Sequence, residues 1–140
     1  MIKCFVTVSL AISLSLSTSS CHAMNATPAE RCVFVDLPQR KGHELTPLLD
    51  EFAKSRGLLA DKSHPINPTY ARRSDSGKFE AEISYRVGMG EFGAALALFR
   101  YDKTLNAELL AQFDHFIEET VASKYKITPC EPEQYPTAYR

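Results

Sequence analysis

Phe79-Glu-Ala-Glu-Ile-Ser-Tyr-Arg-Val-Gly-Met-Gly-Glu-Phe-Gly-Ala-Ala-Leu-Ala-Leu-Phe-Arg-Tyr101 decides the fold. Its first half alternates without a break: Phe79, Ala81, Ile83, Tyr85 and Val87 on one side, Glu80, Glu82, Ser84 and Arg86 on the other. Period two means a strand with one buried face. The second half is apolar on both sides, with Leu96 and Leu98 set against Ala95, Ala97, Phe99 and Tyr101. A strand apolar on both sides belongs in the interior of a sheet. Gly88, Gly90 and Gly93 lie between the halves, so the stretch reads as a β-hairpin.

Working outward, Cys32-Val-Phe-Val-Asp-Leu37 is a second interior strand, closed by Pro38. A helix is expected over residues 43–56, where Leu45, Leu48, Leu49, Phe52 and Arg56 form the apolar stripe. Thr46 suits its N-cap, Pro47 its first turn and Gly57 its C-cap. Residues 58–78 carry no long pattern, but Thr69-Tyr-Ala-Arg-Arg73 followed by Ser-Asp-Ser-Gly77 reads as a short edge strand and a turn, the arginines guarding the edge. A second helix is expected over residues 102–124, with Leu105, Leu109, Leu110, Phe113, Phe116, Ile117 and Val121 on one face. Residues 125–130 give the last strand, and 131–140 a Pro-containing tail. The order β-α-(β)-β-β-α-β is that of the α+β, ferredoxin-like βαββαβ sheet, spatial order 4-1-3-2, with two helices on one face and a possible extra edge strand at 69–73.

The 140 residues suffice for one domain. Residues 1–23 read as a secretory signal: Lys3, an apolar run from Cys4 to Leu16, then small residues to Ala23, with cleavage after Ala23. Lipoprotein processing would instead acylate Cys21, but Thr18 stands where such signals carry Leu. Either route leaves Cys32 and Cys130, which export pairs as a disulfide. In the expected topology the strand opened by Cys32 and the strand closed by Cys130 are antiparallel neighbours, so the bridge is geometrically allowed. No other membrane span is expected. The chain is read as secreted or periplasmic, or as a lipoprotein on an envelope membrane. Asn25-Ala-Thr27 is a glycosylation sequon only in a eukaryotic source.

The functional signals are few. Gly88-Met-Gly90-Glu-Phe-Gly93 spells G-x-G-x-x-G, but a dinucleotide loop should open a helix, and here a strand follows. Sixteen basic and 17 acidic residues leave no field for nucleic acid, and the aromatic pattern of RNA-binding sheets is met only at Phe92-Gly93. His115 and Glu119 stand four apart on a helix face, which is better read as solvated than as a metal grip. Glu80 and Glu82 read as solubilising an exposed strand face. No nucleophile elbow occurs. No catalytic residue, metal ligand or cofactor is expected, and the chain is read as leaning away from an enzyme.

Two surfaces remain. One is the sheet face away from the helices, which carries Ala95, Ala97, Phe99 and Tyr101, joined by Phe34, if Leu96 and Leu98 point to the helices; a one-residue slip in register would exchange the two faces. Such an apolar face needs a cover: the tail through Tyr135 and Tyr139, a second copy, or another protein. The other is the basic segment 58–78, ringed by Lys54, Arg56, Lys62, Arg72, Arg73 and Lys78 against Asp61 and Asp75. The expected function is binding of a protein partner, of the inhibitor, immunity or assembly-factor type. The expected contact residues are Phe34, His64, Tyr70, Arg72, Arg73, Phe99 and Tyr101. A small hydrolase or ligand-binding enzyme using His64 and the 58–78 loop is the alternative, and a structural homodimer the third reading.

Overall fold

The computed structural model describes residues 27–131. The expected signal, the Cys21 anchor, Asn25 of the sequon and all but the first residue of the tail lie outside them. The chain runs β1 (Arg31–Asp36), a 3-10 turn (Gln39–Leu45), α1 (Thr46–Lys54), β2 (Leu59–Asp61), β3 (Thr69–Arg73), β4 (Phe79–Val87), β5 (Gly93–Arg100), α2 (Leu109–Phe116) and β6 (Lys126–Pro129). The fold is α+β, with six strands in one sheet in the order β2-β3-β4-β5-β1-β6. Every neighbouring pair is antiparallel.

Strand count and order differ from the four strands plus one edge strand expected. The added element is β2, whose Leu59, Ala60 and Asp61 pair with Ala71, Tyr70 and Thr69. It makes β3 an inner strand, so Arg72 and Arg73 do not guard a border. The central hairpin is where the alternation put it. Ile83 stands opposite Leu98 and Tyr85 opposite Leu96.

Period two sorts the sheet's residues by face. Val33, Val35, Ala81, Ile83, Tyr85, Leu96 and Leu98 face α1 and α2 and meet Leu49, Phe52, Phe113, Phe116 and Ile117 in the main core. Phe34, Ala95, Ala97 and Phe99 face the other way and form a second apolar cluster with Cys32 and Cys130. Cys32 and Cys130 form a disulfide, Cα atoms 5.4 Å apart, which ties β1 to the residue after β6.

Both helices depart from expectation at their starts. α1 has Leu45, not Thr46, at its N-cap, and a 3-10 turn precedes it. α2 begins at Leu109 rather than near Asp102, and Leu105 is exposed. Polar side chains hold the intervening turns. Asp102 accepts the N–H groups of Thr104 and Leu105 at 3.0 Å each, and buried Asn106 donates to the carbonyls of Glu80 and Asp102. These bonds satisfy the backbone without helix, as Asp and Asn often do. α2 ends in a π turn, Ile117–Val121, where the Ala122 N–H reaches the Ile117 carbonyl.

Candidate functional site

The seven expected contact residues do not share one surface. Phe34, Phe99 and Tyr101 lie on the face away from the helices. Phe34 stacks on Phe92 with centroids 4.5 Å apart, and Phe99 stacks against Tyr101 at 6.5 Å. Phe99 has 0% exposure, as do Ala95 and Ala97 beneath it. Glu82, expected on a solvated face, is also buried. Tyr70 lies on the opposite face, inside the main core, and its hydroxyl donates to Asp50 at 2.9 Å. Burial, reinforced by the Asp50 carboxylate, raises the Tyr70 phenol well above its ordinary pKa. A side chain so enclosed offers a partner no surface.

Arg72 also turns toward the helices. Its guanidinium donates to Asn106 Oδ1 and to the Arg56 carbonyl, and its Nε lies 3.7 Å from Glu80. Arg56 stacks on Phe52, 3.9 Å from the ring centroid, and donates to the Phe52 carbonyl and to Gln112. Arg56 thus occupies a carbonyl in the last turn of α1, where cations are favoured, and Arg72 a carbonyl just past its end. They line a cleft of about 410 Å³ with Thr104, Leu105 and Asn106.

Arg73 differs. Its guanidinium lies 3.4 Å from the Phe79 ring centroid and donates to the Gly77 carbonyl. Among the described residues no carboxylate lies within ion-pair distance of Arg73 or Lys78. Arg73 and Phe79 belong to a groove of about 340 Å³ along the β2 border, whose walls include Gly57, Leu59, Asp61 and Ala71.

That border is built locally. Gly57, at φ +69°, reverses the chain after α1, and the Leu58 N–H returns to the Ala53 carbonyl. Leu58 is therefore buried, and the next side chain, Leu59, points out with 79% exposure. Asp61 accepts the Ser63 N–H at 2.9 Å and opens the following turn. That bond above all, with His64 and Arg73 adding positive potential, holds the Asp61 carboxyl below its ordinary value. Asn67 accepts the Val87 N–H and pins the turn to β4. Lys62 pairs with Asp50 at 2.7 Å. Sequence reasoning missed Leu59, Phe79 and the groove. The available signal was the pair Leu58-Leu59 directly after a C-cap glycine, which cannot both face inward on an extended chain.

His64 lines a separate cleft of about 280 Å³ with Asn67, Thr69, Ser84 and Arg86. This lining provides an imidazole but no carboxylate to orient it, as general base catalysis usually requires. Among the described residues no three His, Cys, Asp or Glu side chains converge on a metal-sized site, and no helix is long and apolar enough to cross a membrane. Gly88–Gly93 forms a hairpin connection with a single 3-10 turn and leads into β5. Neither a protein-family model, nor a curated protein, nor a solved structure matches the chain.

Proposed function

We propose that this chain is an exported, disulfide-fastened domain that binds another protein along its β2 border. The supporting observation is Leu59: a large apolar side chain, 79% exposed, on a three-residue border strand beside a groove. A border strand presents backbone donors and acceptors that an extended segment can pair with, while side-chain pockets give selectivity. Arg73 and Lys78 favour a segment with an acidic residue. The partner is thus an extended acidic stretch of another protein, in keeping with an inhibitor, immunity or assembly-factor role. Export by residues 1–23, into a bacterial periplasm, supplies the oxidising setting that a Cys32–Cys130 bridge needs. We further propose that β6-β1-β5-β4 with both helices is a ferredoxin-like core to which β3 and β2 were added, since those four strands are consecutive in the sheet.

A photo-crosslinker at position 59, in chain recovered from the envelope fraction, tests the binding reading. The expected result is one crosslinked protein, lost in an Arg73→Glu, Lys78→Glu background. Crosslinks that are absent, or unchanged by the charge reversals, refute it. Crosslinks to the chain itself would replace it with the homodimer. Recovery of the chain only from the cytoplasm, with Met1 retained, would overturn export.

A further inference from the structure

We infer that the cleft between the end of α1 and the turns before α2 binds a small organic acid, a single carboxylate carried on a short apolar body. Two side chains span this cleft. Arg72 donates to the Arg56 carbonyl, just past the end of α1, and to Asn106 Oδ1 on the other side. Arg56 donates to the Phe52 carbonyl and the Ser55 hydroxyl on the α1 side, and to Gln112 Oε1 on α2. Both walls are thereby held. The wall before α2 is held further by Asp102, which accepts the Thr104 and Leu105 N–H groups, and by buried Asn106, bonded to the carbonyls of Glu80 and Asp102. At about 410 Å³ the cleft has the size of a small-ligand site rather than that of a bare ion.

The donors left over call for an anion. Arg56 uses Nε and Nη1 in the bonds just named, and its Nη2 meets no acceptor among the described residues. Gln112 accepts through Oε1, which leaves its amide N–H groups to donate. Arg72 has the Glu80 carboxylate 3.7 Å from its Nε, whereas among the described residues no carboxylate lies within ion-pair distance of Arg56. One guanidinium therefore lacks a counter-charge, and one negative charge balances it. A carboxylate matches the flat fork of a guanidinium. Glu108 also lines the cleft, exposed, and its charge works against a dianion such as a phosphate monoester. The apolar body follows from Leu105, which is 64% exposed on the pinned wall, next to Ala107 and Leu109. Covering that side chain removes apolar surface from water.

The probe is hydrocinnamate, with hydrocinnamyl alcohol as its uncharged counterpart and inorganic phosphate as the bare multivalent anion. Each is titrated into the oxidised, isotope-labelled chain and followed by amide chemical shifts. Hydrocinnamate at up to about 10 mM should give saturating shifts grouped at residues 55–57 and 104–112, with neither the alcohol nor phosphate doing so. Arg56→Gln should weaken binding about tenfold, as the loss of a charged hydrogen bond implies. Glu108→Gln, on an exposed side chain, should tighten it about twofold at low salt. Absent shifts, or shifts grouped elsewhere, overturn the inference. Equal binding of the alcohol removes the carboxylate from it, and equal binding of phosphate removes the organic acid; either overturns it. So does unchanged affinity in Arg56→Gln or weaker binding in Glu108→Gln. Arg56 also packs on Phe52. If Arg56→Gln does not fold, the contrast of acid with alcohol in the parent and the Glu108→Gln variant decide the matter. Leu59 and Arg73, on which the border proposal stands, do not line this cleft, so either reading can fail alone.

Discussion

The two borders of the sheet are built on opposite principles. At β6 four residues pair with β1, and a covalent bridge beyond them locks the end of the strand to its neighbour. At β2 three residues pair with β3, every one of them exposed, and the most exposed large apolar side chain among the described residues belongs to that strand. Borders of sheets invite pairing with other chains, and proteins close them by short strands, charges or covering segments. The β6 border is fastened. The β2 border keeps only shortness and one charge, Asp61, in its favour. A difference of this kind separates a surface selected to stay closed from one available for contact.

The largest test of that contrast removes the bridge. Cys32→Ser with Cys130→Ser frees a loop with a sequence separation of 98 residues, which the chain-entropy account values at up to about 4–5 kcal/mol. Urea unfolding should show most of that loss, with hydrogen exchange at β6 rising before exchange at β4. A loss below about 1 kcal/mol would mean that strand pairing alone holds the border, and the contrast would collapse.

A smaller effect compares two left-handed glycines, one near each region. At Gly93, φ +83°, an added Cβ would stand 1.8 Å from the Leu37 carbonyl oxygen. Gly93→Ala should cost at least about 2 kcal/mol, because strain and a backbone clash add. At Gly57, φ +69°, an added Cβ meets nothing within 4 Å. Gly57→Ala should cost about 1 kcal/mol, from the backbone conformation alone. Equal costs in thermal melts would deny that the β1–β5 side is the more tightly packed.

What could be read beforehand follows the same division. The bounds of β4 were legible, because nine positions of alternating polarity mark one strand, but the burial of Glu82 on its polar side was not. The bridge was legible from cysteine parity together with topology. β2 was not, since three residues carry too little alternation, and the pairing of Leu59 with Ala71 is decided by how Gly57 and Asn67 aim the chain. The late start of α2 was hidden for a related reason: Leu105 fits the apolar period, but Asp102 and Asn106 claim the local backbone first. Tyr70 and Arg72 looked like surface residues because the strand was read as a border. Once β2 lies outside it, both point into the main core side. The strand pattern put Phe34 and Phe99 on the second face only on condition that Leu96 and Leu98 face the helices, as they do, and it left both the register and the burial of that face open.

The Glu30–Arg100 pair sharpens the comparison through pH. Arg100 hydrogen-bonds both carboxylate oxygens of Glu30 and also reaches the carbonyls of Asn106 and Ala107. The Arg100 hydrogen bonds hold the Glu30 carboxyl below its ordinary value of 4.5, against a smaller opposing effect of burial. A depressed acid stabilises the folded state above its unfolded pKa and loses that contribution as pH falls through the folded value. Glu30→Gln should therefore cost about 1–2 kcal/mol at pH 7, with solvent access keeping it at the low end for a charged hydrogen bond. The gap between the two proteins should narrow as the pH falls below about 4.5 and close once it passes the lower folded value. A gap that does not narrow as the pH falls below about 4.5 in urea titrations would mean the side chain acts by packing rather than by charge.

The smallest expected change in stability is also the most direct probe of the open border. Leu59→Lys alters a side chain that is 79% exposed and outside both apolar clusters, so stability should stay within about 0.5 kcal/mol of the parent. Its effect on association should be of a different order. A lysine on a border strand is the device by which sheets refuse added strands, since pairing would require its charge to be desolvated. It also adds a cation near Arg73, which should favour an acidic segment, so the two consequences oppose each other. Leu59→Glu separates them: it blocks apolar contact and also repels an acidic partner. If strand addition governs binding, both variants lose the partner in crosslinking and pull-down. If charge alone governs it, Leu59→Lys binds at least as well as the parent and only Leu59→Glu fails. Binding that survives both substitutions would place the contact away from β2, and the open border would then be a short, tolerated edge with no role in recognition.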